Sequence, residues 1–417
     1  MLRRIILLIL IVIGSIWIWL DLSADDNEST VDRRPVTEME EPMAEPEAAD
    51  LEEVEISDEV IEDVEVNLED LSGKFFFNQL DERQQVIYRE IKEGVIRSDL
   101  EIQIDTDNAE EVLEIYRLVL FDHPEIFWVT NAGSATVSRW SNGIVYTMFE
   151  PEYEHTGEVK EAMQVEIEAA VEAFLASVEP GLSEYELVRE VYEYIISTTT
   201  YNLDSTDNQN IYSVFVNRES VCAGFSKAAQ LLLERLGIFS TYVVGVAYVP
   251  GASTAPVPHA WNLVRVYDEY YYLDVTWGSP IFQEGSGLAY RVDVLYDYLL
   301  VNEEKLFRTH TLAEGIEMPP VTSLQHNFFV MNDMFYETHD PEQILEAMNT
   351  SIQNGEDWVA FQFATPELFQ AMRPIILEEL APQAARNLAT WYGLESVQYF
   401  IREKENLNKI TLYWVYE

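Results

Sequence analysis

Cys222 is the only cysteine among 417 residues, so an internal disulfide and a cysteine-rich zinc site are excluded, and any sulfur chemistry happens at this one position. A thiol becomes a nucleophile when its thiolate is stabilised. The first turn of a helix does this through unpaired N–H groups and the helix dipole. In Ser220-Val221-Cys222-Ala223-Gly224-Phe225 the cysteine stands at such a start: the apolar stripe begins only at Phe225 and continues through Ala228, Ala229, Leu232, Leu233 and Leu236 to a glycine stop at Gly237. The usual fate of a free cysteine is as a small buried hydrophobe. Ala223 and Gly224 argue against it here, as small neighbours expected to keep the approach to sulfur open.

Two further residues complete a nucleophile, base and orienter set. His259 opens the run Pro258-His259-Ala260-Trp261-Asn262, and Asp274 lies in Tyr271-Tyr272-Leu273-Asp274-Val275-Thr276-Trp277. An imidazole beside the thiol takes its proton, and a carboxylate behind the ring fixes tautomer and orientation. Acyl transfer also needs donors for an oxyanion. The Cys222 backbone N–H is one, and Tyr201, with Gln209 behind it, is the side-chain candidate; either could equally be an ordinary loop or core residue. The other histidines carry no metal-ligand partner at helical spacing, and there is no phosphate loop or dinucleotide fingerprint, so no cofactor and no metal are expected. His310 follows the core and could border the cleft, but a structural or exposed place is the stronger expectation.

The elements that must hold these residues follow from periodicity. Helix patterns cover Ser183 to Ser197 and the stretch from Cys222 to Leu236, and strand patterns cover Ser240 to Tyr248, Ala260 to Tyr267 and Tyr270 to Thr276. Upstream, Glu82 to Ile96, Glu111 to Phe121 and Val159 to Val178 read as helices and Ile144 to Phe149 as a strand. Downstream come strand Asn327 to Glu337, helix Pro341 to Gln353, strand Trp358 to Phe363, helix Pro366 to Leu388, and a hairpin from Val397 to Ile401 and Ile410 to Tyr416. Helices set between strands suggest a small α/β sandwich at this end.

With Ser220-Val221-Cys222-Ala223-Gly224-Phe225-Ser226-Lys227-Ala228, then Gly245, then His259-Ala260-Trp261-Asn262, then Tyr272-Leu273-Asp274-Val275-Thr276-Trp277, the chain resembles the transglutaminase-like cysteine-enzyme superfamily over roughly 187–280. The resemblance implies an α+β fold with a papain-like core, Cys222, His259 and Asp274 as the catalytic set, and a thioester intermediate. It is closest in character to bacterial extracytoplasmic proteins. One feature of the residues sits badly with it. A simple hairpin around Asp268-Glu269 would set Asp274 opposite Leu263, four residues from His259, and at ~3.4 Å per residue that is out of hydrogen-bond reach. A different loop register or a bulge is required.

Charge and the N-terminus bound the setting. Seventy-five acids against 25 bases give a net charge of -50, which repels phosphate backbones and excludes nucleic acid as a partner. Met1-Leu2-Arg3-Arg4 precedes an uncharged run from Ile5 to Leu20 with Trp17 and Trp19 near its end, which reads as a signal anchor over 1–24 or, if cleaved, a signal peptide. Residues 25–72 read as an acidic disordered tether. An N-terminal α+β accessory domain (73–178), the transglutaminase-like core (179–310) and a C-terminal α/β accessory domain (311–417) complete the expected organisation. The chain is expected in the cell membrane as a single-pass protein with its core outside the cytoplasm, or secreted. Its expected partner is a peptide or protein substrate at the cell envelope. Hydrolysis is favoured over cross-linking, since Pro250-Gly251-Ala252-Ser253-Thr254-Ala255-Pro256 offers no bulky wall to keep water from a thioester. The competing reading is a non-catalytic peptide- or envelope-binding module that uses the same cleft.

Overall fold

The computed structural model describes residues 71–139, 145–248, 255–280, 294–395 and 397–415. The expected anchor, nearly all of the tether and most of the run from Pro250 to Pro256 lie outside them. Among the described residues no helix is long and apolar enough to cross a membrane. The chain divides into two units, Met1–Glu166 and Ile167–Glu417.

In the first unit, helices α1 (Glu82–Arg97) and α2 (Ala109–Asp122) lie with the antiparallel strands β1 (Ile102–Ile104), β2 (Val129–Arg139) and β3 (Val145–Tyr153), in the order β1-β3-β2. Ile87, Tyr88, Ile91 and Val95 of α1 and Val112, Ile115, Tyr116 and Val119 of α2 recur every three or four residues and are buried, which is why these segments are helices. Asp81 caps α1 in a capping box with Gln84, and Asn108 caps α2. Asp122 is buried and accepts from the Phe76 and Phe77 N–H groups and the Tyr88 hydroxyl, tying the entry turn to the helices.

Helix α3 (Gly157–Ser177) contains the division between the units. The second unit continues with α4 (Glu184–Thr198), the short parallel pair β4 (Thr200–Tyr201) and β5 (Glu219–Ser220), then α5 (Cys222–Arg235). Strands β6 (Ser240–Ala247), β7 (Val257–Val266) and β8 (Glu269–Leu273), the short helix α6 (Glu303–Leu306) and strand β9 (His310–Leu312) follow. The sheet runs β8-β7-β6-β9, antiparallel throughout, and α5 packs on β6 and β7. Strand β7 is buried on both sides from His259 to Val264, as expected of a strand at the centre of a covered sheet.

The C-terminal part carries α7 (Phe328–Met331), β10 (Phe335–Tyr336), α8 (Pro341–Gln353), β11 (Trp358–Phe363), α9 (Pro366–Ile375), α10 (Ala381–Tyr392), β12 (Gln398–Lys404) and β13 (Lys409–Val415), with strand order β10-β11-β13-β12. Helices and sheet share a core of Met348, Phe361, Phe369, Met372, Ile376, Leu388, Ile410 and Leu412. Two expectations change here. Asn327 to Glu337 is not one strand, because the Asn327 side chain accepts from the Phe329 N–H and starts a helical turn, leaving two residues of strand. The long helix from Pro366 is interrupted by a π-turn at Ile376–Leu380, just after Pro374, which has no N–H to give. Asp297, fully buried, pairs with both Lys404 and Lys409 and so links the chain before β9 to the last hairpin. The fold is α+β, with helix and strand mixed in both units.

Candidate active site

Helix α5 begins at Cys222, and no side chain caps that end: Val221 stands at the cap position in extended conformation. The first-turn N–H groups therefore lie beside the sulfur, where the helix dipole favours negative charge. The preceding loop is tied down at several points. The Asn208 carbonyl accepts from the Ser220 hydroxyl and, at 3.3 Å, from the Val221 N–H, and the Ser213 and Ser220 hydroxyls bond to one another at 2.6 Å. Gly224 has a different duty from the one its size suggested. A Cβ there would come within 2.0 Å of Ser220 Oγ and 2.9 Å of the Asn210 carbonyl, so the glycine lets the helix seat on this hydroxyl pair, and it is buried rather than open to an approaching substrate. Cys222 itself is partly exposed.

His259 lies within β7, two residues after its start, and the hairpin register answers the objection raised by the sequence. Val266 pairs with Glu269, so the turn is Tyr267-Asp268 and Asn262 faces Leu273. Extending that register sets Asp274 opposite Trp261, on the same side of the strand as His259 and two residues away, rather than opposite Leu263. Strand β8 ends at Leu273, and the Asp274 N–H turns to the Tyr298 carbonyl. Its carboxylate then meets the ring: His259 Nε2 lies 2.8 Å from Asp274 Oδ2, while Oδ1 accepts from the Trp277 N–H at 3.1 Å. Tyr267 reaches this tight turn by a left-handed backbone, φ 53°, with its N–H given to the Glu184 carboxylate.

The same histidine also hydrogen-bonds the Cys222 thiol. With Nε2 engaged by Asp274, Nδ1 is the nitrogen that serves the sulfur. Burial works against charge on His259, but Asp274, through charge and hydrogen bond, and Cys222 outweigh it and push the imidazole up to about 10. Burial would likewise raise Asp274, yet the two histidines beside it hold its carboxyl well below the usual carboxylate range. The opposed shifts describe a protonated imidazole on a carboxylate.

Helix and sheet are held in register by Asn262, which is fully buried and donates from Nδ2 to the Ser226 carbonyl, one turn along from Cys222, at 2.9 Å. Gly245 is required at the crossing of β6 with β9: a Cβ there would lie 2.0 Å from the Thr311 carbonyl oxygen and 2.7 Å from the Trp261 ring. Trp261 and Trp277 pack on His259 with ring centroids at 6.0 and 5.8 Å.

Tyr201, on β4 beside Ser220, is within electrostatic reach of Cys222: burial first, then charge at Cys222 and Asp274, raises its phenol and keeps the proton on oxygen. Gln209 is a neighbour of the same loop whose amide donates to Asn208 Oδ1 at 3.3 Å. Tyr242 went unread in the sequence, and His310 was expected to be structural or exposed rather than part of the site. Tyr242, on β6, is raised by burial and by charge at Cys222; a strand aromatic gives no sign of this beforehand. His310, on β9, places Nε2 3.1 Å from Asp274 Oδ2, so two imidazoles share one carboxylate oxygen. Ligand atoms of His259, Asp274 and His310 lie within 4.8 Å of one another, close enough to hold a metal ion, although the separations from Asp274 are those of hydrogen bonds. The signal for His310 in the sequence is only a histidine at the head of a three-residue edge strand.

Residues 172–275 match the model of the transglutaminase-like superfamily. Among solved structures, a TGase aligns at 16% identity over 45% of this chain and 52% of its own, TM-score 0.25. A candidate cysteine protease from Cytophaga hutchinsonii aligns at 16% identity over 37% and 65%, TM-score 0.23. The periplasmic domain of TgpA from Pseudomonas aeruginosa, bound to ethylmercury, aligns at 12% identity over 44% and 76%, TM-score 0.22. The chain thus spans about half the length of the first of these structures. No curated protein sequence matches it. Residues 172–275, which hold Cys222, His259 and Asp274, are a domain of the transglutaminase-like superfamily.

Proposed function

We propose that this protein is a cysteine-dependent acyl-transfer enzyme acting outside the cytoplasm on peptide or protein amides, with hydrolysis ahead of cross-linking. The observation that carries the reading is one buried imidazole bonded to the thiol on one side and to an ionised carboxylate on the other. With the proton already on His259, Cys222 Sγ attacks the amide carbonyl carbon as the thiolate partner of that imidazolium. The tetrahedral oxyanion is met by the Cys222 backbone N–H and the Tyr201 hydroxyl. Collapse breaks the C–N bond, His259 returns the proton to the departing amine, and a thioester remains on Cys222. Water, deprotonated by His259, then releases the acid and restores the thiol; a primary amine in place of water would give a new amide.

Hydrolysis is favoured because Cys222 is partly exposed, which leaves a thioester there open to water. Arg3, Arg4 and the apolar run from Ile5 to Leu20 support export, with a membrane anchor at the N-terminus and a substrate at the cell envelope. The test is incubation of the full chain with envelope-derived peptides and a dansylated primary amine. The expected result is Cys222-dependent release of acid product exceeding amine incorporation. Turnover that persists in Cys222→Ala would overturn the enzymatic reading, and amine incorporation outrunning hydrolysis would overturn its direction.

A further inference from the structure

We propose that His310 is a positioning residue of this site, a fourth member that donates from Nε2 to Asp274 and fixes the carboxylate's aim at His259. It has this role only if Cys222 is the nucleophile proposed above.

His310 is buried in a ring of aromatic side chains, with centroids 4.7 Å from Trp277, 5.1 Å from Trp261 and 5.4 Å from Tyr298. The titratable groups that face it among the described residues are Asp274, His259 and Tyr298. A carboxylate only accepts, so the 3.1 Å contact with Oδ2 requires a proton on His310 Nε2. Were His310 a cation as well as His259, two positive rings with centroids 5.3 Å apart would share one negative charge out of water. Burial, the largest influence on His310, lowers it and keeps it neutral, so Nδ1 is an acceptor. It finds a donor: Thr309 Oγ1 lies 2.9 Å from Nδ1, and Tyr298 Oη lies 3.0 Å from Thr309 Oγ1. Thr309 Oγ1 also lies 3.3 Å from the Leu306 carbonyl, which competes for its one proton; with that proton on the shorter 2.9 Å contact, hydrogens run from Tyr298 to Thr309 to His310 to Asp274. The opposite tautomer would face two acceptors at 3.1 Å across Oδ2.

This chain has a consequence for His259. Asp274 is anchored at Oδ1 by the Trp277 N–H and at Oδ2 by His310, so the carboxylate cannot swing away when the proton on His259 moves. The second bond also keeps Asp274 ionised although that side chain has no exposure to water.

The variants His310→Gln and His310→Asn separate donor from bulk. The glutamine amide reaches the place of Nε2 and can still donate to Asp274, whereas the asparagine amide reaches only the place of Nδ1. The measurement is the rate of Cys222 alkylation by iodoacetamide across pH 5 to 9, followed by intact mass, with melting temperature recorded alongside. His310→Asn is expected to slow alkylation at pH 7 by about tenfold, the range of a hydrogen bond to a charged group, and to alter the pH profile. His310→Gln should stay within about threefold of wild type on the same scale. If His310→Asn keeps the wild-type profile while His259→Phe loses it, His310 is only structural and the proposal fails while the reading of Cys222 stands. If His259→Phe also keeps the wild-type profile, the nucleophile reading itself falls and this proposal with it. In wild type, ¹⁵N NMR of the ring should show a neutral His310 protonated at Nε2; protonation at Nδ1 would also overturn the proposal.

Discussion

Gly245→Ala should disable the site from a position that touches neither the thiol nor the carboxylate. The added Cβ would sit 2.0 Å from the Thr311 carbonyl oxygen, where ordinary contact begins at 3.4 Å, so β9 must retreat by about 1.4 Å or β6 must bend. Trp261, whose ring would lie 2.7 Å from the new methyl, blocks relief on the other side. Thr311 is adjacent to His310, and Ala247 pairs with His310 in the same ladder. A retreat of this size carries His310 Nε2 from 3.1 Å to beyond hydrogen-bond distance of Asp274. Overpacking of this kind costs about 1–3 kcal/mol, and the lost bond to a charged acceptor adds about 1.5–3 kcal/mol. The hypothesis is tested by urea unfolding with Cys222 alkylation on the same samples. A variant that keeps both wild-type stability and wild-type alkylation would show that β9 tolerates the methyl without moving His310.

Three other outcomes are expected. The His259 contribution to stability follows from its raised folded value: it is fully present below the unfolded 6.5 and is lost as pH rises through about 10, while the lowered Asp274 contributes above about 3.8 and loses its contribution on further acidification. The melting-temperature gap between wild type and His259→Phe should therefore shrink above pH 7; a gap that widens toward pH 10 would contradict the pairing. Asn262→Ala removes the tether to the Ser226 carbonyl and should cost about 1 kcal/mol or more, with slower alkylation at Cys222, whereas unchanged alkylation would show that helix and sheet need no such tie. Asp297→Ala strands the buried Lys409 and part-buried Lys404 ammonium groups and should cost about 3–5 kcal/mol in chemical unfolding, and a loss below about 1 kcal/mol would count against the ion pairs.

The order of Cys222, His259 and Asp274 was legible because each stands in a local pattern that the fold honours: a helix that starts at Cys222, a strand through His259, and a strand that ends just before Asp274. The hairpin register was not. Tyr267 is no usual turn former, and its left-handed backbone depends on a distant acceptor, Glu184, that no local window contains. Gly224 and Gly245 were visible as glycines, but what their missing side chains make room for, Ser220 and Thr311, is set by tertiary approach. His310 is 36 residues beyond Asp274 on a three-residue strand, too short for any alternation to announce it. The strand expected over Asn327 to Glu337 failed for a related reason, since one side-chain cap at Asn327 outweighs a run of apolar residues.

If His259 activates Cys222 as proposed, the thiol reacts fast at low pH, and the single cysteine makes its labelling unambiguous. Iodoacetamide labelling at pH 6, read by intact mass, should proceed at least about tenfold faster in wild type than in N-acetylcysteine, as expected of a thiol paired with a cation. His259→Phe should abolish that advantage. Equal rates for wild type, the variant and the free amino-acid derivative would contradict the claim.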